Sequence, residues 1–598
     1  MKPNLILALL LLTACTARQP GRVDVIPAPA QMTVRAGHSP VPADLQGAAR
    51  VTLDAALAER LGPEGYILET GRTGVKIAAA DSAGVFYARQ TLAQLPDAQG
   101  LPHVRIEDRP RFAYRGFHVD VSRHFHDKAE IEKLLDVAAF YKFNYFHFHL
   151  TDNGGWRLQS EHYPLLTERG AYRVMKDWDG WWKMDKRLFC TADTPRAYGG
   201  YYTREDIREI VAYAAARHIQ VIPEIEFPAH SDAVFVGYPE LSCEKRPYGS
   251  GEFCPAEERV YTFMETVLTE VMELFPCKVI HIGADEARKR AWKTCPACQR
   301  LMREQGMDSY DDLQCYMVSR IQAFLREHGR TMAGWDELLK NDDLDSGTMV
   351  YSYRGEKGGI RAANRGLKAV MTPGEILYCD WYQADPHFEP KAMYGYSPIK
   401  KMYRFIPVPD TPQEAAANES LVEARYVAPN SVEYIQPACT ANVVGVQGCA
   451  WGEYIPTDEH LEYMMFPRLL AVAELAWSPD ERRSWADFRT RLPAHLDLLQ
   501  SRWGLHVGDL HDAPEVLCID GRVQMEAEHP LAQVRYTLDG SDPTAESPLY
   551  TEPFVIDAPV TVRARAFRDG APCSYLREVS LSPDEDCLNY YPLTYYPS

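Results

Sequence analysis

Between residues 109 and 500 the chain alternates short apolar segments with longer segments whose apolar residues recur at helical spacing, and this alternation restricts the fold more than any other feature. The short segments are candidate strands: 115–120, 144–150, 220–225, 278–282, 331–335, 348–353, 368–371 and 443–448. Strands separated by helical patterns predict parallel pairing through helical crossovers. We therefore expect residues 109–512 to form an α/β domain with the architecture of a (β/α)8 TIM barrel.

Two smaller units flank the predicted barrel. Residues 22–108 contain the alternating segments Gly65–Thr70 and Val75–Ala79, followed by helical spacing from Asp81, which predicts an N-terminal α+β domain. Residues 513–583 alternate on both sides of an Asp539-Gly540 turn, which predicts a small C-terminal all-β module of the β-sandwich kind. Residues 584–598 are rich in tyrosine and proline, and we assign this tail no structure.

Residues 1–21 have the features of an export signal followed by a tether. Lys2 precedes an unbroken apolar run from Leu5 to Leu12, which is too short to span a bilayer but fits a signal-peptide core. Leu12-Thr-Ala-Cys15 resembles a bacterial lipoprotein processing box with Cys15 as the acylated residue, and a plain secretory signal with an incidental cysteine is the alternative. We expect an exported protein, lipid-anchored at Cys15, in the periplasm or at the cell surface of a Gram-negative-type bacterium.

The charge balance argues against a nucleic-acid partner. Lysine and arginine total 64 and aspartate and glutamate total 83, so the net charge is −19. Binding to a phosphate backbone requires a basic face, which this composition disfavours.

The cysteines allow several pairings. Of 14 cysteines, 13 remain after Cys15, so at least one stays unpaired within the chain. Cys295 and Cys298 form a single C-x-x-C motif, and no matching second pair lies nearby in the sequence to complete a four-ligand zinc site. We expect a local disulfide or two free thiols there, with Cys243 and Cys254 as a second plausible pair.

Asp285 and Glu286 follow directly after the predicted strand 278–282. The carboxyl end of a barrel strand is where this fold places its chemistry. Neighbouring residues on an extended backbone point to opposite sides, so the two carboxylates should differ in environment and in pKa. An N-cap pair at the start of a following helix is the alternative interpretation.

Further polar and aromatic residues follow the other predicted strands. Carboxylates interleaved with aromatic rings and arginine suit a sugar, because rings stack on its apolar face and charged groups bind its hydroxyls. Packing in the core is the alternative for any single tryptophan and for His230. The residues in question are Arg115, Asp120, His149, Asp152, Glu224, Glu226, His230, Trp335, Asp336, Glu337, Tyr353, Arg354, Tyr378, Asp380, Trp451 and Glu453.

Nine motifs occur in order along the chain: Asp108-Arg-Pro-Arg-Phe-Ala-Tyr-Arg-Gly, Ser122-Arg-His-Phe, Lys142-Phe-Asn-Tyr-Phe-His-Phe-His-Leu-Thr-Asp, Gly155-Trp-Arg, Ile222-Pro-Glu-Ile-Glu-Phe-Pro-Ala-His-Ser, His281-Ile-Gly-Ala-Asp-Glu, Gly334-Trp-Asp-Glu, Leu377-Tyr-Cys-Asp and Trp451-Gly-Glu. With these motifs, residues 22–500 resemble glycoside hydrolase family 20, the β-N-acetylhexosaminidases. The resemblance implies a retaining exo-enzyme that removes terminal β-linked N-acetylglucosamine or N-acetylgalactosamine, with the substrate's own acetamido oxygen as nucleophile and an oxazoline intermediate.

The resemblance also implies residue roles, and it implies no metal or cofactor. Glu286 would be the general acid and base, Asp285 would orient the acetamido group, and Tyr378 would donate to its oxygen. Trp335, Tyr353 and Trp451 would wall the acetamido pocket. Arg115, Asp380 and Glu453 would bind ring hydroxyls, and Asp152 and His230 would tune Glu286.

Two positions depart from the family pattern, and two other functions remain open. Ala284 replaces a usual glycine, and Tyr353 replaces a pocket tryptophan found in many members. A lapsed enzyme that binds amino sugars without cleaving them is the main alternative function. A metal-dependent hydrolase that uses His281, Asp285 and His230 is a third.

Overall fold

The computed structural model describes residues 22–184, 187–423 and 427–587. The predicted lipidation site Cys15 and most of the predicted tail therefore lie outside the described residues. Among the described helices, none combines the length and apolar character needed to cross a bilayer.

The N-terminal domain is a five-stranded sheet with a helix on one face. The order across the sheet is β1-β5-β3-β4-β2, in which all neighbours are antiparallel except β2 and β4. Asp81 caps the second helix by accepting from the Gly84 backbone N–H, and that helix packs on β3 and β4. The strands are β1 (Gln31–Ser39), β2 (Ala49–Leu53), β3 (Tyr66–Gly71), β4 (Gly74–Ala79) and β5 (Leu101–Asp108), and the helices are α1 (Ala56–Leu61) and α2 (Ser82–Gln94).

The central domain is a closed barrel, as the sequence predicted. Each of the eight candidate strands forms one stave, every neighbouring pair is parallel, and the last strand closes on the first. Most stave residues are buried, as expected where helices cover the outside and side chains fill the inside. The staves are β6 (Tyr114–Asp120), β7 (Tyr145–His149), β8 (Gln220–Phe227), β9 (Val279–Gly283), β10 (Thr331–Trp335), β11 (Met349–Ser352), β12 (Lys368–Met371) and β13 (Val443–Ala450).

Helices cover the barrel and connect most of its strands. The connection between β10 and β11 is an exception, since it holds only a 3₁₀ helix, Asp336–Lys340. The longer helices are α3 (Lys128–Phe140), α4 (Arg204–Ala215), α5 (Glu258–Leu274), α6 (Pro296–Gln305), α7 (Tyr310–Glu327), α8 (Lys357–Asn364), α9 (Ile399–Arg404), α10 (Pro412–Glu423), α11 (Asp458–Met465), α12 (Arg468–Trp477) and α13 (Trp485–Trp503). Shorter helices in the loops are Leu165–Glu168, Trp178–Trp182, Asp232–Gly237, Arg290–Thr294 and Gly374–Leu377.

The C-terminal module consists of two small sheets around a shared apolar core that includes Val516, Val523 and Val562. β14, β15 and β17 form one sheet, and β16, β18, β19 and β20 form the other. Their bounds are β14 (Glu515–Ile519), β15 (Arg522–Glu526), β16 (Gln533–Thr537), β17 (Phe554–Val555), β18 (Val560–Arg568), β19 (Ala571–Pro572) and β20 (Arg577–Leu581).

A buried polar cluster joins the N-terminal domain to the barrel. The Asp108 carboxylate at the end of β5 lies 2.9 Å from the Lys142 ammonium. The Tyr66 hydroxyl and the Trp477 indole N–H donate to the same oxygen, at 2.6 and 3.0 Å. Since both charges are buried, the hydrogen bonds are what offset their desolvation.

Candidate active site

A cavity of about 720 Å³ opens at the carboxyl ends of the barrel strands. It is the edge at which a barrel of this kind presents its loops. Eleven of the residues singled out from the sequence line it: Asp152, His230, Asp285, Glu286, Trp335, Tyr353, Arg354, Tyr378, Asp380, Trp451 and Glu453.

A left-handed turn after β9 aims both carboxylates into this cavity. The strand ends at Gly283, and Gly283, Ala284 and Glu286 have φ values of 67°, 72° and 49°. The expectation that Asp285 and Glu286 point to opposite sides is therefore wrong, because it assumed an extended backbone. The capping alternative is also wrong, because the next helix begins at Arg290 and has no side-chain cap.

The two carboxylates differ in burial. Asp285 is 7% exposed, and burial, with Glu224 and Glu286 adding to it against the opposing effect of His230, raises its pKa to about 7. The Glu286 side chain is more than half exposed, and the imidazole of His230, 3.4 Å away, lowers its pKa. In the unliganded site the shared proton thus resides mainly on Asp285.

His230 connects the pair to a buried charge network. Its Nε2 lies 3.5 Å from Asp285 and 3.4 Å from Glu286, and its Nδ1 lies 3.2 Å from Asp152. Burial lowers the pKa of His230, but Asp152 and Asp285 outweigh this and hold it well above its usual value. Asp152 in turn lies 2.9 Å from the Arg123 guanidinium. His230 is therefore an imidazolium between three carboxyl groups.

Beneath this layer, Glu224 is the centre of a histidine cluster. Its carboxylate lies 2.5 Å from His149 and 2.9 Å from His281, and accepts from the Trp335 indole at 2.8 Å. Burial alone would raise the pKa of Glu224, but the surrounding imidazoles lower it well below its usual value. Glu224 thus remains charged and fixes the Trp335 ring at the floor of the cavity.

An aromatic pocket beside Asp285 contains two polar atoms without partners. Trp335 and Trp451 have ring centroids 5.5 Å apart, and Tyr353 meets Trp335 edge to face at 5.5 Å. Among the described residues, no hydrogen-bond partner exists for Asp285 Oδ1 or for the Tyr378 hydroxyl, since the facing Trp451 lies outside hydrogen-bond geometry. A buried acceptor and a buried donor left open between aromatic walls match the N–H and C=O of an amide.

The Tyr353 hydroxyl, which a tryptophan at this position would lack, has a hydrogen-bond partner at the pocket wall. The hydroxyl donates to Glu337 Oε1 at 3.4 Å, and that same oxygen accepts from the Glu286 backbone N–H at 2.9 Å. Tyr353 therefore belongs to the pocket, and its hydroxyl is tied to the loop that carries the acid.

Two further carboxyl groups stand on the opposite wall. Burial raises the pKa of Asp380 well above its usual value, and the nearby Glu453 adds to this effect. Burial also raises the pKa of Glu453, against the opposing charge of Arg123 at 3.5 Å. Such groups can accept from, or donate to, sugar hydroxyls.

The expectation that Arg115 binds ring hydroxyls is wrong. Arg115 is the second residue of β6, at the end of the barrel opposite the cavity, and is 1% exposed. Its guanidinium donates to the Lys142 and Phe112 carbonyls and to the Tyr87 hydroxyl, at 2.8 to 3.0 Å. Arg115 therefore joins the barrel to the N-terminal domain.

Arg123 is the arginine that lines the cavity, and sequence reasoning missed its role. It lies 2.9 Å from Asp120 and stacks 5.1 Å from the Trp451 ring centroid. The segment Ser122-Arg-His-Phe carried the signal, because it follows the carboxyl end of β6. The loop between β7 and α4 supplies another missed group, since Trp178 and Trp182 stack at the rim with centroids 5.3 Å apart.

The residues proposed for a catalytic metal do not assemble. His281 contacts Glu224 at 2.9 Å, whereas His230 contacts Asp285 at 3.5 Å. Among the described residues, no group of potential ligands within metal-binding distance contains His281, Asp285 and His230 together.

The barrel, the carboxylate pair at its rim and the aromatic pocket beside it are the features of a family of glycoside hydrolases. The model of the glycosyl hydrolase family 20 catalytic domain matches residues 112–480. Models of the family's domain 2 and of the chitobiase/β-hexosaminidase C-terminal domain match residues 22–109 and 519–576. The chain belongs to glycosyl hydrolase family 20.

Individual relatives agree with this assignment. A β-hexosaminidase of Porphyromonas gingivalis is 36% identical over 549 residues, covering 87% of this chain and 65% of the relative. A β-hexosaminidase of Vibrio furnissii is 33% identical and covers 68% and 64%. A family 20 exo-β-N-acetylglucosaminidase of Vibrio harveyi, solved with N-acetylglucosamine, superposes with a TM-score of 0.67 at 28% identity, covering 81% and 78%. The chain spans just under two thirds of the length of both curated relatives.

Proposed function

We propose that the protein is a retaining exo-β-N-acetylhexosaminidase that uses the acetamido group of its substrate as nucleophile. The observation that carries this proposal is the pair of open polar atoms, Asp285 Oδ1 and the Tyr378 hydroxyl, between the rings of Trp335 and Trp451. An acetamido group would donate its N–H to Asp285 and accept from Tyr378. The activities named for the bacterial relatives point to the same substrate class.

The reaction follows from that pose. The acetamido oxygen attacks the anomeric carbon while the bond to the leaving oxygen breaks, and Glu286 gives its proton to that oxygen. Asp285 stabilises the positive charge that develops on the acetamido nitrogen. Water then attacks the same carbon from the opposite face, and the bond from that carbon to the acetamido oxygen breaks, which regenerates the acetamido group. Glu286 takes a proton from the water, and the sugar leaves with its configuration retained. Asp380, Glu453 and Arg123 hold the ring hydroxyls.

In the empty site the proton resides mainly on Asp285, whereas the reaction needs it on Glu286. Bound substrate reverses this distribution. A donated amide N–H favours the charged form of Asp285 and lowers its pKa. The sugar covers the exposed Glu286 carboxyl, and desolvation raises the pKa of Glu286. The proton therefore moves to the acid once the substrate is in place.

The decisive experiment varies the acetamido group. Hydrolysis rates are measured on an aryl 2-acetamido-2-deoxy-β-glucoside, its galacto epimer and the matching β-glucoside. We expect turnover of the acetamido substrates and a loss of at least about 10³-fold in kcat/KM on the glucoside, since Asp285 and Tyr378 would remain unpaired. Comparable rates on both would refute substrate assistance.

The same assay separates the enzyme from a lapsed, sugar-binding relative. A lapsed protein would bind a thiazoline analogue of the cyclic intermediate but turn over none of the substrates. An enzyme should bind that analogue much more tightly than N-acetylglucosamine, since it resembles the high-energy species. Asp285→Asn should weaken binding of the analogue and should affect binding of N-acetylglucosamine less.

We also propose that Cys15 carries a lipid anchor that holds the enzyme at a membrane surface. The proposal rests on the apolar run and the Leu12-Thr-Ala-Cys15 box. Cys15→Ser should move the protein from the membrane fraction to the soluble fraction with kcat/KM unchanged. Continued membrane association would contradict the anchor.

A further inference from the structure

Four cysteines that are far apart in the sequence meet beside the active-site loops. Cys243 and Cys254 come from the segment after β8, and Cys295 and Cys298 come from the start of α6. Their sulfur atoms all lie within 4.8 Å of one another, and all four are thiols. The sequence found no second pair near the C-x-x-C motif, and the fold brings Cys243 and Cys254 to that position. Of the two alternatives left open for Cys295 and Cys298, a local disulfide or two free thiols, the structure has the free thiols.

We propose that Cys243, Cys254, Cys295 and Cys298 bind one Zn²⁺ ion in a closed, four-thiolate structural site. The ion replaces the four thiol protons, which pass to solvent, and nothing is oxidised or reduced. Four protein ligands leave no open position for water or substrate, so the role is structural and not catalytic. Among the described residues that line the active-site cavity, none of the four cysteines is found.

Two sulfur–sulfur distances match the edge of a ZnS₄ tetrahedron, and the others lie within 4.8 Å. Cys298 Sγ lies 3.5 Å from Cys243 Sγ and 3.8 Å from Cys254 Sγ. With Zn–S bonds of about 2.3 Å, the edges of a regular ZnS₄ tetrahedron are about 3.8 Å. A disulfide needs about 2.0 Å instead. The short contacts also join one sequence pair to the other, and two sequence-local disulfides would not arrange the sulfurs in this way.

The surroundings suit thiolates. Cys-Pro-Ala occurs twice, at residues 254–256 and 295–297, so each half of the cluster contributes one cysteine in the same local sequence. Cys298 lies in the first turn of α6, where the helix dipole favours negative charge. Cys254 and Cys298 are 2% and 0% exposed, so solvent has little access to the ion.

Such a site would tie together two loops that form one side of the catalytic cavity. Gly249, Ser250 and Glu252 lie between the first two cysteines and line the cavity, as do Arg288 and Arg290 between the acid pair and Cys295. The Trp292 indole already donates to the Phe253 carbonyl at 2.9 Å. The ion would fix the separation of these loops, and its loss would loosen the rim while leaving the catalytic groups in place.

The test measures metal and thiols in the full chain, purified without a histidine tag. Elemental analysis should give about one zinc per chain. Cys298→Ser should lose most of that zinc, whereas Cys190→Ser, which alters a partly exposed cysteine outside the cluster, should retain it. Cys243→His replaces one zinc ligand with another and should retain zinc.

Spectroscopy and mass spectrometry of the wild-type protein test the proposal even if a variant fails to fold. Wild-type protein made in cobalt medium should show the thiolate-to-Co²⁺ charge-transfer band and the visible bands of tetrahedral Co²⁺. Intact mass without reductant should show every one of the four cysteines as a thiol. A mass lower by two or four hydrogens at these positions, or zinc-free protein that takes up neither metal, would overturn the proposal.

Discussion

Glu224 and Glu226 lie two residues apart on β8, and the structure gives their carboxyl groups opposite protonation states. Glu224 is held ionised by His147, His149 and His281. Neither oxygen of Glu226 has a hydrogen-bond partner among the described residues, and burial together with Asp285 raises its pKa well above the usual value. Glu226 therefore favours its neutral form, whereas Glu224 favours the carboxylate.

The same substitution should consequently have opposite effects at the two positions. Glu226→Gln replaces a neutral acid with an isosteric neutral amide, so thermal stability should stay within about 1 kcal/mol of wild type. Glu224→Gln removes the carboxylate that pairs with the buried His149, whose pKa is raised to about 10, and this should cost about 3–5 kcal/mol. Thermal unfolding at one scan rate and pH 7 checks both. Equal losses from the two variants would show that the protonation states have been misassigned.

The Asp285–Glu286 pair should set the pH dependence of kcat/KM, which reports the free enzyme. The pair titrates in two coupled steps, one with a pKa below the usual glutamate value and one at about 7. Between these steps the site holds the single proton that the leaving group needs, so kcat/KM should be highest there. Above about pH 7 that proton is lost, and kcat/KM should fall.

Asp285→Asn provides the control for this assignment. Without the neighbouring negative charge, the pKa of Glu286 falls, because like charges favour the protonated form. The alkaline limb of the variant should therefore move to lower pH, in addition to the overall loss of rate. A limb that stays at the wild-type position would mean that another group governs it.

At the residue scale the sequence predicted most of the cavity, and its failure at Arg115 has a physical reason. Arg115 and Asp120 lie on the same strand, five residues apart, and were assigned to the same rim. At about 3.3 Å per residue, they are separated by about 17 Å, so only one of them can reach that rim. Arg123 follows the strand's carboxyl end, and the loop there folds back over Trp451.

At the scale of elements, the turn after β9 is the structural device that brings the acid pair together. Gly283 has φ 67°, and a Cβ built there would lie 2.1 Å from Glu226 Oε2 and 2.6 Å from its carboxyl carbon. Both the backbone conformation and the neighbouring side chain therefore require glycine. Ala284 adopts φ 72° with a side chain, so this turn carries strain that a glycine would not.

Gly283→Ala should disable the enzyme through this turn. The left-handed backbone costs a side chain about 1 kcal/mol, and displacement of Glu226 moves the floor beneath Asp285. We expect kcat/KM to fall by about 10²-fold or more, as misplaced reacting groups typically cause. Kinetics on an aryl acetamido substrate measures this effect.

Gly504→Ala is the matched control for that prediction. Gly504 has φ 67° at the end of α13, and a Cβ there meets nothing within 4 Å. It should show the backbone cost alone, a loss of about 1 kcal/mol in stability, with kinetics unchanged. If both glycine variants retain wild-type kcat/KM, the turn does not hold the pair in position.

Elements differed in how well the sequence predicted them. The barrel strands are apolar runs buried on both faces, so their pattern is local and each could be recognised. The turn after β9 could not be recognised, because Ala284 and Glu286 rarely adopt positive φ and give no turn signal. The stacked Trp178 and Trp182 lie in a loop without periodicity, and only the tertiary fold brings them to the rim.

At the scale of the whole molecule, the sequence concealed contacts between distant segments. Cys243 and Cys298 are 55 residues apart, and Asp108 and Trp477 are 369 residues apart. Spacing rules describe neighbours along a chain, and such contacts form only when the domains have closed on each other. Arg115 belongs to this group, since it pairs with Glu64 of the N-terminal domain at 2.8 Å and stacks 5.0 Å from the Trp477 ring centroid.

Substitutions at Arg115 should therefore affect stability, whereas substitutions at Arg123 should affect substrate binding. Arg115→Ala leaves Glu64 and two backbone carbonyls without their donor at the domain interface, which should cost about 3 kcal/mol of stability. The folded fraction should keep the wild-type KM, because the cavity lies at the other end of β6. Arg115→Lys should recover only part of the loss, since an ammonium cannot reproduce the planar fork of hydrogen bonds.

Arg123→Ala should have the opposite signature. It removes the cation shared by Asp120, Asp152 and Glu453 at the cavity wall, so KM should rise and kcat/KM should fall by about 10²-fold. Thermal unfolding and steady-state kinetics on the same preparations distinguish the two arginines. An interface residue can change KM only through a loss of fold. A raised KM in Arg115→Ala at wild-type stability would therefore contradict the interface role and indicate that Arg115 contacts the substrate.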